Sequence, residues 1–205
     1  MTLREQWFSL AQRYSPDATL VSQLWGEIAK NYSDKKRHYH TLEHLENLFA
    51  ELEIVRAHIG EWDVLSFSVF YHDVIYNVKK HDNEEQSALF AAERLRKLNV
   101  PEAMIVQCAA QINATKSHTV SDDPDTNLFT DADLSVLGKP WALYENYFRQ
   151  VRKEYSIYPD LLYKPGRKKV LRHFLEMKRI FKTDLFFAKY EQQARENLQR
   201  ELELL

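Results

Sequence analysis

Apolar side chains recur along this chain at the three- and four-residue spacing of helices buried on one face, in one segment after another. Leu3, Trp7, Leu10 and Ala11 mark a first helix that Pro16 ends, and Leu20, Leu24, Trp25 and Ile28 mark a second after Pro16-Asp17. Thr41 is placed to cap a third helix carrying Leu45, Leu48, Phe49 and Leu52, which puts His44 in its first turn and His40 just ahead of it. A fourth runs from Trp62 to Asp73 through an almost unbroken apolar stretch. Asp82-Asn83-Glu84-Glu85 has the form of a capping box opening a fifth helix with Ala88, Leu89, Ala92 and Leu95.

Pro101-Glu102 suits the first turn of a sixth helix through Ile105, Ala109 and Ile112. The polar stretch from Ser117 to Asn127 reads as a loop leading to the segment around Asp133. Helices are expected again over 141–155 and over 167–181, where Val170, Leu171, Phe174, Leu175 and Ile180 share one side, and over the tail 183–205. No period-two alternation supports a sheet, and no repeat of 20–50 residues is present. The expected fold is therefore all-α, with 1–205 as one domain: a core of about 37–135 bearing the candidate chemistry, and C-terminal helices over about 139–205.

Composition agrees with helices. Four Gly and six Pro leave little material for a turn-rich β architecture, while 44% apolar and 28% charged residues match a globular chain. No apolar run is long enough for a membrane span and the first residues lack a signal-peptide pattern, so a cytoplasmic location is the expectation. Cys108 is the only cysteine, which excludes an intrachain disulfide and a thiolate metal cluster and reads as a small buried residue. A net charge of −2 gives no general drive toward nucleic acid. Between Arg149 and Lys182, however, eleven Lys or Arg face Glu154, Asp160 and Glu176, as a solvated helix face or as a rim for a phosphorylated ligand.

Metal-binding residue types cluster in three places. His72-Asp73 closes the apolar fourth helix, and an imidazole beside a carboxylate suits a borderline or hard divalent ion. His40 and His44 lie four apart in Arg37-His38-Tyr39-His40-Thr41-Leu42-Glu43-His44 and share a face if that segment is helical. Asp131 and Asp133 follow another apolar stretch. His118, at helical spacing from Thr115, is a further candidate ligand.

In chain order these segments resemble the His, His-Asp, Asp ligand pattern of the HD superfamily of metal-dependent phosphohydrolases. Tyr39-His40-Thr41-Leu42-Glu43-His44 and Ala132-Asp133-Leu134-Ser135 are similar to the metal motifs of cyclic-nucleotide phosphodiesterases. That likeness implies His44 and Asp133 as ligands beside His72 and Asp73, and His40 as the acid that protonates the leaving group. Four residues after His72, where those enzymes carry another histidine, this chain has Tyr76, so their specificity is not implied. A broader likeness, to small, mostly uncharacterised bacterial HD phosphohydrolases, extends through Phe70-Tyr71-His72-Asp73-x-x-Tyr76, Asn83-Glu84-Glu85-x-Ser87-Ala88, Thr115-x-x-His118 and Gly166-Arg167-x-x-Val170-Leu171.

The resemblance implies hydrolysis of a small phosphorylated metabolite or nucleotide at an ion held by His44, His72, Asp73 and Asp133, with His40 and Asp73 as catalytic residues. The donor set suits Mn, Fe, Co, Ni or Zn and tolerates Mg. One ion is expected, or two if His118 is recruited. Arg37, Arg152 and Arg167 are candidate phosphate clamps, as is Arg149, and Tyr76 is a candidate wall for a base or sugar. Three rival readings stand beside this one: an HD-fold di-iron oxygenase, a nucleotide-sensing module without turnover, and an inverted zinc peptidase using His40-Thr41-Leu42-Glu43-His44.

Overall fold

The computed structural model describes residues 1–205. It contains ten α-helices, two short 3-10 turns and no strand, the all-helical class that the periodicity predicts. No helix is long and apolar enough to cross a membrane. The chain forms two compact units, Met1–Thr130 and Asp131–Leu205.

The first unit is organised around one helix. Helix α4 (Trp62–Tyr71) buries every residue from Val64 to Tyr71, so it has no solvent face and must be surrounded. Helices α3 (Leu42–Ile54), α5 (Asn83–Lys97) and α6 (Glu102–Ala114) pack against it. Helix α1 (Leu3–Ala11) packs on α2 (Ala18–Tyr32) and α3. Trp7 on α1 is fully buried, meets Phe67, Phe70 and Tyr71 of α4 edge-on at centroid distances of 6.1, 5.3 and 5.8 Å, and donates its indole N–H to the Val21 carbonyl at 2.9 Å.

Local chemistry fixes the helix ends. Thr2 and Glu5 form a reciprocal capping box on α1, and Asp17 caps α2 by accepting from the Thr19 and Leu20 N–H groups. Thr41 stands at the start of α3 as expected, although its hydroxyl makes no capping bond.

Three expectations are corrected. The box expected at Asp82–Glu85 does not form. Asp82 makes no side-chain cap bond and Glu85 pairs with Lys116, a cation brought in from beyond α6. Helix α5 turns Ser87, Ala88, Ala91 and Leu95 inward, leaving Leu89 66% exposed. The polar stretch read as loop to Asn127 is helical from Pro124, the start of α7 (Pro124–Asp133). There Asp123 accepts from the N–H groups of Asp125 and Thr126 at 3.2 and 3.3 Å, and Pro124 occupies a position where a missing N–H costs nothing. Buried Asp125 receives the Gly60 and Glu61 N–H groups at 2.9 and 2.7 Å, tying this turn to the start of α4. The residues that looked like loop are a helix cap and a brace.

Cys108 on α6 is buried against α4, and burial pushes its thiol up to about 12. The native protein should resist a thiol-specific reagent at pH 8 and react stoichiometrically once unfolded in guanidinium, as followed by absorbance. The unfolded thiol ionises near 8.5 while the native one stays protonated, so this group removes stability as pH rises between those values.

The second unit comprises the last turn of α7, a 3-10 turn over Leu134–Gly138, and helices α8 (Trp141–Glu154), α9 (Asp160–Glu176) and α10 (Asp184–Leu204). Asp131 is fully buried and accepts from the Lys182 N–H, the Thr183 N–H and the Thr183 hydroxyl, each at 2.8 Å. Helix α9 begins seven residues before the expected start and tolerates Pro165 in its early turns. It stops at Glu176 because Met177 is extended, so Ile180 and Phe181 are not on the helix. They are buried in the segment after it, with their N–H groups held by the Glu191 carboxylate. Glu201 receives Arg167 bidentately at 2.7 and 2.8 Å and also the Tyr144 hydroxyl.

Candidate metal centre

Two helix ends place the central side chains. His44 is the third residue of α3, where the chain has just turned inward after Thr41, and is 4% exposed. His72 follows the last residue of α4 and is 1% exposed. Because α4 is buried all round from Val64 to Tyr71, the side chains at its end are delivered straight out of the core.

The Nε2 atoms of His44 and His72 lie 3.1 Å apart. Asp73 Oδ2 is 3.1 Å from His72 Nε2 and 3.8 Å from His44 Nε2. Ligands about 2.1 Å from one ion are separated by about 3.0 Å at a right angle and about 3.4 Å in a tetrahedron, so the two 3.1 Å spacings suit a shared cation, while the 3.8 Å spacing is wider than either. The chemistry of the donors points the same way. His72 Nδ1 lies 2.9 Å from the Val69 carbonyl, which can only accept. In a neutral ring that assignment leaves Nε2 with its lone pair toward the carboxylate oxygen and the other imidazole. With the His44 ring in the matching tautomer, three lone-pair-bearing atoms face one another, an arrangement that a divalent ion could occupy. Burial would raise the Asp73 carboxyl, but His72, His40 and His44 outweigh it and hold the group well below the usual carboxylate range.

His40 stands apart from this trio. It lies before α3 rather than on it, so His40 and His44 are not two positions on one helical face, as the peptidase reading requires. Its Nε2 is 3.9 Å from Asp73 Oδ2. Its ring lies 4.3 Å from that of Tyr76 at 31° and meets Tyr39 edge-on at 5.0 Å. Tyr76 therefore packs directly on His40.

Arg37 has a different setting from that of an open phosphate clamp. It is 8% exposed and donates to three backbone carbonyls: His40 at 3.2 Å, Asp73 at 2.6 Å and Val74 at 3.0 Å. The guanidinium joins the strand of chain before α3 to the end of α4, where a cation also opposes the negative end of the helix dipole. Two further supports carried no signal in the spacing of the motifs. The Tyr32 hydroxyl accepts the Asp73 N–H at 3.1 Å, and the Ser87 hydroxyl bonds both backbone groups of Ile75. Arg37→Ala should leave the helices intact by circular dichroism and weaken metal binding by about 10–100-fold, the usual cost of losing a group that orients ligands. Competition with a chelator of known affinity measures this.

The remaining candidates are placed as follows. Asp133 ends α7 and is part-exposed, whereas both oxygens of its rival Asp131 are taken up by Lys182 and Thr183. His118 lies in the turn after α6, half-exposed and at a positive φ of 52°. Arg167 is bound to Glu201, Arg152 to Asp160 and the Tyr155 and Tyr158 carbonyls, and Arg149 to Glu145 one turn earlier. All three forks are engaged within the second unit. His58, His81 and His173 are exposed. Comparison with protein families, curated proteins and solved structures finds no match to this chain.

Proposed function

We propose that this protein is a metal-dependent phosphohydrolase of the HD type, acting on a small phosphorylated metabolite or nucleotide. The observation that carries the reading is the trio of His44 Nε2, His72 Nε2 and Asp73 Oδ2, mutually within 3.8 Å, with His72 oriented by the Val69 carbonyl. His44, His72 and Asp73 would hold the ion, and Asp133 is the fourth ligand that the sequence resemblance implies. A divalent ion bound there supplies charge to polarise a phosphoryl group and brings the pKa of a water toward neutrality. Two imidazoles and two carboxylates balance its charge, so an anionic substrate meets no net negative field from the ligands.

His40 holds the proton for the departing oxygen at Nε2. Its Nε2 lies 3.9 Å from Asp73 Oδ2, beside the ion's ligands, where a leaving group on the bound phosphate would come within its reach. Tyr39 and Tyr76 fix the plane of its ring, which spares the cost of orienting the acid during the reaction. Arg37 acts through the chain it braces rather than by touching substrate.

The test is to purify the protein without chelator, measure its metal content, and screen phosphomonoesters, nucleotides and phosphodiesters with Mn, Mg, Fe, Co, Ni and Zn in turn. Hydrolysis that depends on an added ion and is abolished by chelator is expected. A fully metallated protein that turns over none of the panel would sink the proposal, as would His72→Ala retaining the parent's metal and rate. Metal binding at two irons per chain with a coupled-ion spectrum would replace it with the oxygenase reading.

A further inference from the structure

The corner between α8 and α9 carries the most exposed large apolar side chain of the protein. Leu161 is 85% exposed, and Leu162 beside it and Ile157 just before it are 62% and 53% exposed. Single exposed apolar residues are ordinary on a protein surface, but three within one short corner form a patch. The corner is pinned. Arg152 donates to the Tyr155 and Tyr158 carbonyls, each at 3.0 Å, and to the Asp160 carboxylate at 2.7 Å, and its guanidinium lies over the Tyr163 ring at 4.5 Å. The backbone on both sides of Ile157 is thereby fixed, so the apolar side chains project from a held frame.

Cations follow the apolar tip along the same face. Helix α9 turns Arg167 and Leu171 inward. At about 100° per residue, Leu161, Leu162, Pro165, Lys169 and Arg172 all fall within about 80° of the opposite direction. Lys164 and Lys168 lie part-exposed along one edge of that face. With a rise of ~1.5 Å per residue, Lys169 and Arg172 stand about 10–17 Å along the helix from the leucines. Arg167 is bound to Glu201 and Asp160 to Arg152. Lys164, Lys168, Lys169 and Arg172 form no ion pair, and Glu176 is the one carboxylate of α9 left to oppose them.

We propose that this corner docks on the surface of an anionic lipid bilayer, with Ile157, Leu161 and Leu162 entering the acyl boundary and the four free cations at the level of the phosphates. An apolar tip backed by uncompensated positive charge is complementary to a layer with a hydrocarbon interior and a negative surface. Side chains that enter to about 5–10 Å leave cations 10–17 Å behind them among the headgroups. Docking of this kind needs no membrane-crossing helix, and the chain has none. Nucleic acid satisfies only half of the surface: the projecting side chains are aliphatic and give bases no ring to stack on. A second copy of this chain would set the same four cations against one another.

Sedimentation of the full-length protein with vesicles of phosphatidylcholine alone, and of phosphatidylcholine with one-third phosphatidylserine, tests this. Binding to the anionic vesicles should be at least about tenfold tighter than to the neutral ones and should weaken at least about tenfold when salt rises from about 0.1 M to about 0.5 M. Leu161→Ser with Leu162→Ser should weaken it at least about tenfold, and Lys169→Gln with Arg172→Gln about 20-fold. All four positions are exposed, so each variant should keep the parent's circular dichroism. Leu89→Ser, at an equally exposed leucine on α5, should bind like the parent. The proposal fails if the anionic vesicles do not bind, if neutral vesicles bind as well, or if the leucine variant binds like the parent. Displacement of the vesicles by a DNA or RNA oligonucleotide to which the leucine variant binds like the parent would overturn it in favour of nucleic acid. A concentration-dependent dimer lost in the leucine variant would overturn it in favour of self-association.

Discussion

Asp73→Asn is expected to emerge from purification without its metal while keeping the parent's circular dichroism. The substitution removes the one negative charge from the trio and leaves two imidazoles 3.1 Å apart beside a neutral amide. The loss in affinity should exceed the ~10–100-fold typical of residues that merely orient ligands, so a drop of at least about 100-fold is the expected result. Fold should survive because the structural bonds at this residue come from its backbone. The Asp73 N–H goes to Tyr32 and its carbonyl to Arg37, and neither depends on the side chain. Metal analysis after dialysis against a weak chelator, with parent and variant side by side, measures the effect. Parent-like metal content would remove Asp73 from the ligand set.

Glu201→Ala should be among the most destabilising single substitutions in the second unit. It strands the Arg167 guanidinium at 8% exposure and removes the acceptor of the Tyr144 hydroxyl. Breaking a buried pair from one side costs about 3–5 kcal/mol, most of it for the uncompensated charge. For a chain of this size that lowers the unfolding midpoint by about 10 °C. The double variant Glu201→Leu with Arg167→Met should recover much of the loss, because two well-packed apolar residues replace two desolvated charges. Thermal and urea unfolding of the set measures both effects. A double variant no more stable than Glu201→Ala would mean that the pair contributes through Tyr144 and the wider packing.

The distinction between an arginine that binds substrate and one that braces the fold shows where sequence reading stops. Helix identity was legible because burial imposes a period on apolar residues, and nine of the ten helices follow from it. The His72-Asp73 trio was legible because a polar pair ends an otherwise apolar helix. What Arg37, Arg152 and Arg167 do was not legible, since their acceptors are backbone carbonyls or carboxylates set by tertiary structure: Asp73 lies 36 residues from Arg37, and Glu201 lies 34 from Arg167. The start of α7 was hidden for a related reason. Asp, Pro and Asp promote turns locally, and only the reach of Asp125 to Gly60 and Glu61 shows that they open a helix. Asp131 and Asp133 are alike in residue type and setting, and the resemblance that implies Asp133 is joined by a structural reason: the N–H groups of Lys182 and Thr183 occupy Asp131.

The encirclement of α4 bears on how the molecule breathes. Exchange of a helix amide with solvent requires that helix to open, and the cost of opening rises with the apolar surface that must be wetted. A helix with no outward face has no cheap local opening, so the amides from Ser68 to His72 should be among the slowest in the first unit to take up deuterium, near the limit set by global unfolding. The His72 N–H, bonded to the Ser68 carbonyl at 2.9 Å, belongs to that set. His72 is thus tied to the region that opens last, and the trio should stay assembled through the fraying of the surrounding helices.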